Sequence, residues 1–123
     1  MKIDRQRVLN KFGGRCGYCG CEIDVKSMQI DHIVPIYRNC TNEELKRLNI
    51  VRGTNEYSNL MPSCKSCNKY KGVFTVETFR NEMQKQVERL NKYSTNYFFA
   101  KKFGLVKETN NPVVFYFEKY DKD

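Results

Sequence analysis

Long apolar runs are missing from this sequence. None approaches the roughly 20 residues that a membrane-spanning helix needs. The opening residues, Met-Lys-Ile-Asp-Arg-Gln-Arg, are charged and have no apolar stretch behind them. On that pattern no secretory leader is expected, and the expected compartment is the cytoplasm. Internal repeats and low-complexity segments are lacking as well. Histidine is scarce: His32 is the only one in the chain.

These absences decide how the six cysteines are read. In an oxidising compartment an even number suggests disulfides, whereas in a reducing one paired Cys-x-x-Cys motifs suggest a metal. The chain has two such motifs, Cys16-Gly-Tyr-Cys19 and Cys64-Lys-Ser-Cys67. What is abundant is positive charge: the formal net charge is +8 and the pI about 9.2. Such a balance suits a polyanionic partner, because bound cations displace condensed counterions from a phosphate backbone. A length of 123 residues with 40% hydrophobic residues suits one folded domain with a modest core.

Residues 4–12 read as a short helix capped by Asp4, with Val8, Leu9 and Phe12 inward and Gly13-Gly14 as its stop. Residues 28–36 read as a strand broken by Pro35. Residues 41–49 carry a capping-box signature, Thr41 to Glu44, on a helix within an inserted loop over 38–56. Leu60 and Met61 are expected to form a brief second strand ended by Pro62, with a helix over 64–71. From Thr75 to Tyr93 the helical period is strong, with Val76, Phe79, Met83, Val87 and Leu90 on one face. Ser94 or Thr95 caps a further helix that Gly104 ends. Val113 to Glu118 is expected to be a final strand.

The two Cys-x-x-Cys pairs supply four thiolates on tight turns. Tetrahedral Zn²⁺ in a structural site requires that set. Cys16, Cys19, Cys64 and Cys67 are the expected ligands, with Cys21 standing as a rival to Cys19. Glycine at 17 is read as allowing the first turn to fold back sharply.

Between and beside these pairs stand Asp31-His32, Asn59 and Asn68. Together with Cys-Gly-Tyr-Cys (16–19), Ile-Asp-His-Ile-Val-Pro (30–35) and Asn-Leu-Met-Pro-Ser-Cys-Lys-Ser-Cys-Asn-Lys-Tyr-Lys-Gly (59–72), the constellation resembles the HNH endonuclease family in its zinc-stapled, phage and mobile-element form. The resemblance covers roughly residues 12–80. It implies an α+β fold: a ββα-metal, treble-clef-like core with a four-cysteine zinc site, flanking helices and a C-terminal strand. It also implies a metal-dependent DNA endonuclease. Asp31 and Asn68 would ligate one Mg²⁺ or Mn²⁺, oxygen donors being suited to hard cations. His32 would be the general base. Asn59 would fasten the loop between the strands and orient His32. The third signature position, often histidine in the family, is Asn68 here.

Lys69 and Lys71, on the helix after Asn68, are candidate phosphate contacts. The expected action is nicking or loosely specific cleavage, with a protein partner supplying targeting. Asp31 and His32 are neighbours and would point to opposite faces of a regular strand. They are therefore expected at a strand end or distortion. Two alternatives stand beside the nuclease: a zinc module that binds nucleic acid without cutting it, and one that acts on a host or phage protein.

Overall fold

The computed structural model describes residues 2–121. Helix α1 spans Arg5–Asn10, with the Asp4 carboxylate accepting from the Arg7 amide. Its Val8 and Leu9 are buried with Met28 and Leu60, forming one of two apolar clusters. The chain then turns through Gly13 and Gly14, both at positive φ (66° and 81°), into the first cysteine turn.

Strand β1, Gln29–His32, pairs antiparallel with β2, Leu60–Ser63, in a two-stranded sheet. Asp31 faces Met61 across the sheet and His32 faces Leu60. His32 is the last residue of its strand, which ends well short of Pro35. Pro62 does not end β2: it pairs with Ile30. A two-stranded sheet leaves each strand one free edge, so a residue without an N–H fits there. The outward Pro62 carbonyl still accepts from the Gly17 amide at 2.8 Å.

Between the strands runs the long loop carrying α2, Asn42–Arg47, with the reciprocal Thr41–Glu44 capping box in place. Arg52 staples this loop. Its guanidinium donates to the carbonyls of Ile36, Tyr37 and Cys40 and to the Asn42 side chain. One 3₁₀ turn, Tyr57–Asn59, leads into β2. Helix α3, Lys65–Lys71, follows directly.

The long amphipathic stretch is two helices, α4 (Val76–Gln84) and α5 (Gln86–Tyr93), parted at Lys85. No proline or glycine marks the break. Instead the Gln86 and Arg89 side chains donate to the Glu82 carbonyl, which substitutes for the helical ladder there. The expected apolar stripe divides accordingly. Phe79 is buried, while Val87 and Leu90 on α5 are exposed. Helix α6, Thr95–Lys102, is capped by Ser94.

The C-terminal run is not a strand. Val113–Phe115 is extended but makes no ladder, and Tyr116–Lys119 forms the short helix α7. The β-rich composition is not expressed as a ladder: among the described residues the sheet holds only β1 and β2. Arg80 instead fixes the segment, donating to the Val113 carbonyl and bidentately to Glu118 at 2.6 and 2.7 Å. The amides of Tyr116 and Phe117 bond the carbonyls of Tyr18 and Gly17. Phe115 thereby joins Tyr18, Phe79, Met61 and Cys16 in the second apolar cluster. Tyr18 meets the Phe79 and Phe115 rings edge-on, with centroids 5.1 and 5.2 Å away.

Candidate metal centre and active site

The sulfur atoms of Cys16, Cys19, Cys64 and Cys67 all lie within 4.8 Å of one another. A tetrahedron with metal–sulfur bonds of ~2.3 Å has edges of about 3.8 Å. The Cys19–Cys64 separation is 3.8 Å. This cluster could hold a metal ion, and its all-thiolate donor set fits zinc. The hydrogen bond from Cys67 drives the Cys16 thiol down to about 4, and the same contact drives Cys67 upward. Cys21 lies outside the cluster, although its backbone carbonyl accepts from the Cys16 amide.

The role of Gly17 differs from the expectation. Its φ is not positive. A Cβ there would instead collide with the Met61 sulfur, so glycine is required for close approach to β2. Gly20, at φ 82°, is the residue that needs the left-handed backbone.

Asp31, His32 and Asn68 line one cavity of about 340 Å³, walled on the loop side by Pro35, Ile36, Tyr37, Arg38 and Asn39. β1 delivers the first two and α3 the third. Tyr37 sits at φ 49°, an uncommon conformation for a residue with a side chain, held by Arg52 through the Tyr37 carbonyl.

Asp31 is buried. Its Oδ2 accepts from the Tyr18 hydroxyl at 2.6 Å, and the Lys71 ammonium lies 3.2 Å from Oδ2 and 3.3 Å from Oδ1. Burial pushes the Asp31 carboxyl above the usual range, opposed by Tyr18 and then Lys71. A carboxylate has about four acceptor positions. These contacts leave Oδ1 room for one more, and Asn68, whose side chain carries an amide oxygen, lines the same cavity. The donor set therefore fits a hard divalent cation.

Lys71 corrects a sequence expectation. It is not a solvent-facing lysine, because its side chain is 0% exposed. Its ammonium lies between the Asp31 carboxylate and the His32 carbonyl, 3.1 Å from the latter. Lys69 does remain at the surface. Replacing Lys71 by methionine is expected to leave Asp31 buried without its counter-charge, at a cost of roughly 3–5 kcal/mol. Thermal unfolding without added divalent cation measures this. Because burial raises the folded-state pKa of Asp31, the penalty should shrink as pH falls and the carboxyl takes up a proton. An unchanged melting temperature at neutral pH would contradict the assignment.

Asn59 fastens the loop. Its Oδ1 accepts from the Val34 amide at 2.8 Å, and its Nδ2 donates to the carbonyls of Val34 and Thr54 at 3.0 and 2.8 Å. Its own carbonyl accepts from the Ile33 amide. The imidazole of His32 is held by another residue. His32 Nε2 lies 2.7 Å from Asn55 Oδ1. Sequence reasoning missed Asn55, as it missed the Tyr18 and Lys71 partners of Asp31. For Asn55 the only signal is position, since it lies in the segment Thr54–Asn59 that the Asn59 amide closes.

The chain is similar to known proteins over this region. The family model described as HNH endonuclease matches residues 16–74, the span holding both cysteine pairs and the cavity. YoqL, an SPbeta prophage-derived protein of Bacillus subtilis (strain 168) that carries an HNH endonuclease name, is 31% identical over 84 residues. That match takes in 68% of this chain and 34% of the relative, so the chain spans about a third of the length of the curated relative. A Type II-C Cas9 enzyme from Actinomyces naeslundii superposes with a TM-score of 0.50 over 97% of this chain and 11% of its own, at 21% identity, which speaks for the fold. Residues 16–74 thus match the HNH endonuclease family.

Proposed function

We propose that the chain is a metal-dependent DNA endonuclease that hydrolyses phosphodiester bonds at the cavity of Asp31, His32 and Asn68. The observation that carries this reading is the convergence of a carboxylate, an imidazole and an amide on one opening. The sulfur cluster would hold a structural zinc. A divalent cation, Mg²⁺ or Mn²⁺, would be held by Asp31 and Asn68. When bound, it supplies charge stabilisation for the phosphate and the leaving oxygen.

The chain's own groups do the rest. With Asn55 Oδ1 as acceptor, the imidazole proton sits on Nε2. The Nδ1 lone pair is then left to take a proton from water as that water attacks phosphorus. Asn59 keeps the loop bearing Asn55 against the end of β1, so it acts on His32 through that loop. Lys71 lowers the cost of keeping the Asp31 carboxylate ionised in a buried place. A single such site cuts one strand at a time, so nicking or loosely specific cleavage is expected, with targeting by a protein partner.

The experiment is direct. Supercoiled plasmid incubated with the zinc-loaded chain should be nicked when Mg²⁺ or Mn²⁺ is added and left intact when it is omitted. No nicking with either cation would overturn the reading. Asn55→Ala should slow cleavage by about 10–100-fold, the range seen when a partner that orients a functional histidine is lost. The effect should fall on kcat rather than KM, with the melting temperature unchanged because Asn55 is exposed. Full activity in that variant would show that the imidazole is oriented by something else.

A further inference from the structure

The stretch from Arg89 to Lys107 contains Arg89, Lys92, Lys101, Lys102 and Lys107 and no aspartate or glutamate. It also holds Tyr93, Tyr97, Phe98, Phe99 and Phe103. Four of these rings face water: Tyr93 is 75% exposed, Phe98 55%, Phe99 49% and Phe103 71%. Tyr97 is turned inward, its hydroxyl donating to Glu108 at 2.7 Å. Arg89 is matched by Glu82, and Lys101 by Glu108. Lys92 and Lys102 stand instead beside exposed rings, their ammonium groups 5.4 Å from the Tyr93 centroid and 5.8 Å from the Phe98 centroid.

Rings and cations therefore share one surface. On α6, Phe98 and Lys102 are four residues apart and lie on the same side, as do Phe99 and Phe103. That arrangement discriminates between occupants. A helix lying in a lipid surface segregates apolar residues from its charges, and here Phe98 and Lys102 share one side of α6. A protein interface core is depleted in lysine. A second copy of the chain would set lysine against lysine. An unpaired polynucleotide matches both features, since its bases stack on aromatic faces while its phosphates meet the cations. In a duplex the base faces are hidden.

We propose that the outer face of α6, with the end of α5, binds an unpaired stretch of DNA. That the strand is DNA rests on the endonuclease reading above. The surface is joined to the cavity through α5: Gln86 and Arg89 donate to the Tyr70 hydroxyl, two residues beyond Asn68 on α3. A strand held here thus lies on helices tied by hydrogen bonds to the helix that bears Asn68.

The test is fluorescence anisotropy with the full zinc-loaded chain, without Mg²⁺ or Mn²⁺, so that nothing is cut. The probes are a labelled oligo(dT), an oligo(rU) of the same length and a duplex of the same length. Binding should be tightest to oligo(dT). Phe98→Ala with Phe103→Ala should weaken it about tenfold or more and leave duplex binding unchanged. Lys92→Ala with Lys102→Ala should reduce the salt slope by about 1.4, at ~0.7 per phosphate contact on a single strand. Both substitutions are at exposed positions, so circular dichroism and zinc content should match the parent chain.

Equal affinity for single strand and duplex, or ring variants that bind as the parent does, would overturn the proposal. So would preference for oligo(rU), a dimer in light scattering that the ring variant abolishes, or ring-dependent sedimentation with phosphatidylserine vesicles but no oligonucleotide binding. The two readings fail separately. Loss of nicking with ring-dependent oligo(dT) binding intact removes the endonuclease alone, and nicking with ring-independent binding removes this surface alone.

Discussion

Replacing His32 by alanine should lower plasmid nicking by two to four orders of magnitude, the range that a positioned general base contributes. The loss should be confined to chemistry. His32 is half-exposed at the end of β1, and its side chain's hydrogen bond is to the exposed Asn55. Its removal therefore leaves no buried donor or acceptor unpaired, and melting temperature and zinc content should not move. Since the chain has no other histidine, no second imidazole can take over the proton. Supplying free imidazole to the variant should restore part of the rate if the cavity admits it. Retention of cleavage within a few-fold of the parent would remove His32 from the mechanism. Such a result would leave the Asp31–Lys71 pair without the base it is read as accompanying.

Replacing Cys64 by serine should abolish cooperative folding. Structural zinc contributes an apparent ~10–16 kcal/mol to small domains, against a total stability of ~5–15 kcal/mol for a typical domain. The substitution isolates the metal with unusual clarity. Cys64 is the N-cap of α3, and its sulfur accepts from the Cys67 amide at 3.5 Å. Serine is a good N-cap in its own right, so helix capping is kept while the thiolate is lost. Cys40→Ser is the control, because Cys40 lies in the inserted loop outside the sulfur cluster. The readouts are metal content and the thermal transition by circular dichroism. A Cys64→Ser chain that melts cooperatively at the parent temperature would show that the cluster is not a structural site.

What could be read from the sequence was chiefly what is local. The Asp4 cap, the Thr41–Glu44 box and the cysteine turns depend on residues a few positions apart, where pattern and geometry coincide. The convergence of Asp31, His32 and Asn68 could be expected only through a family resemblance, because β1 and α3 are brought together by the whole fold. The partners that tune the site were invisible for the same reason. Lys71 looked like one more helix lysine until its burial against Asp31 was seen. Asn55 sits in a polar loop with no periodicity to distinguish it. The C-terminal strand was misjudged from composition: Val113–Glu118 has the residues of a strand but pairs with no strand among the described residues. The continuous helix over 75–93 was misjudged because its break at Lys85 comes from side chains reaching the Glu82 carbonyl.

Tyr18 lies inside the first cysteine turn, between two of the four sulfurs, and its hydroxyl grips Asp31. The sulfur cluster closes the turn that carries this ring, so the cluster and the Phe79 and Phe115 rings together set where the hydroxyl meets the carboxylate. If the sulfur cluster holds zinc and the cavity a divalent cation, as proposed, a chain stripped of zinc should bind Mg²⁺ less well with every residue of the cavity still in place.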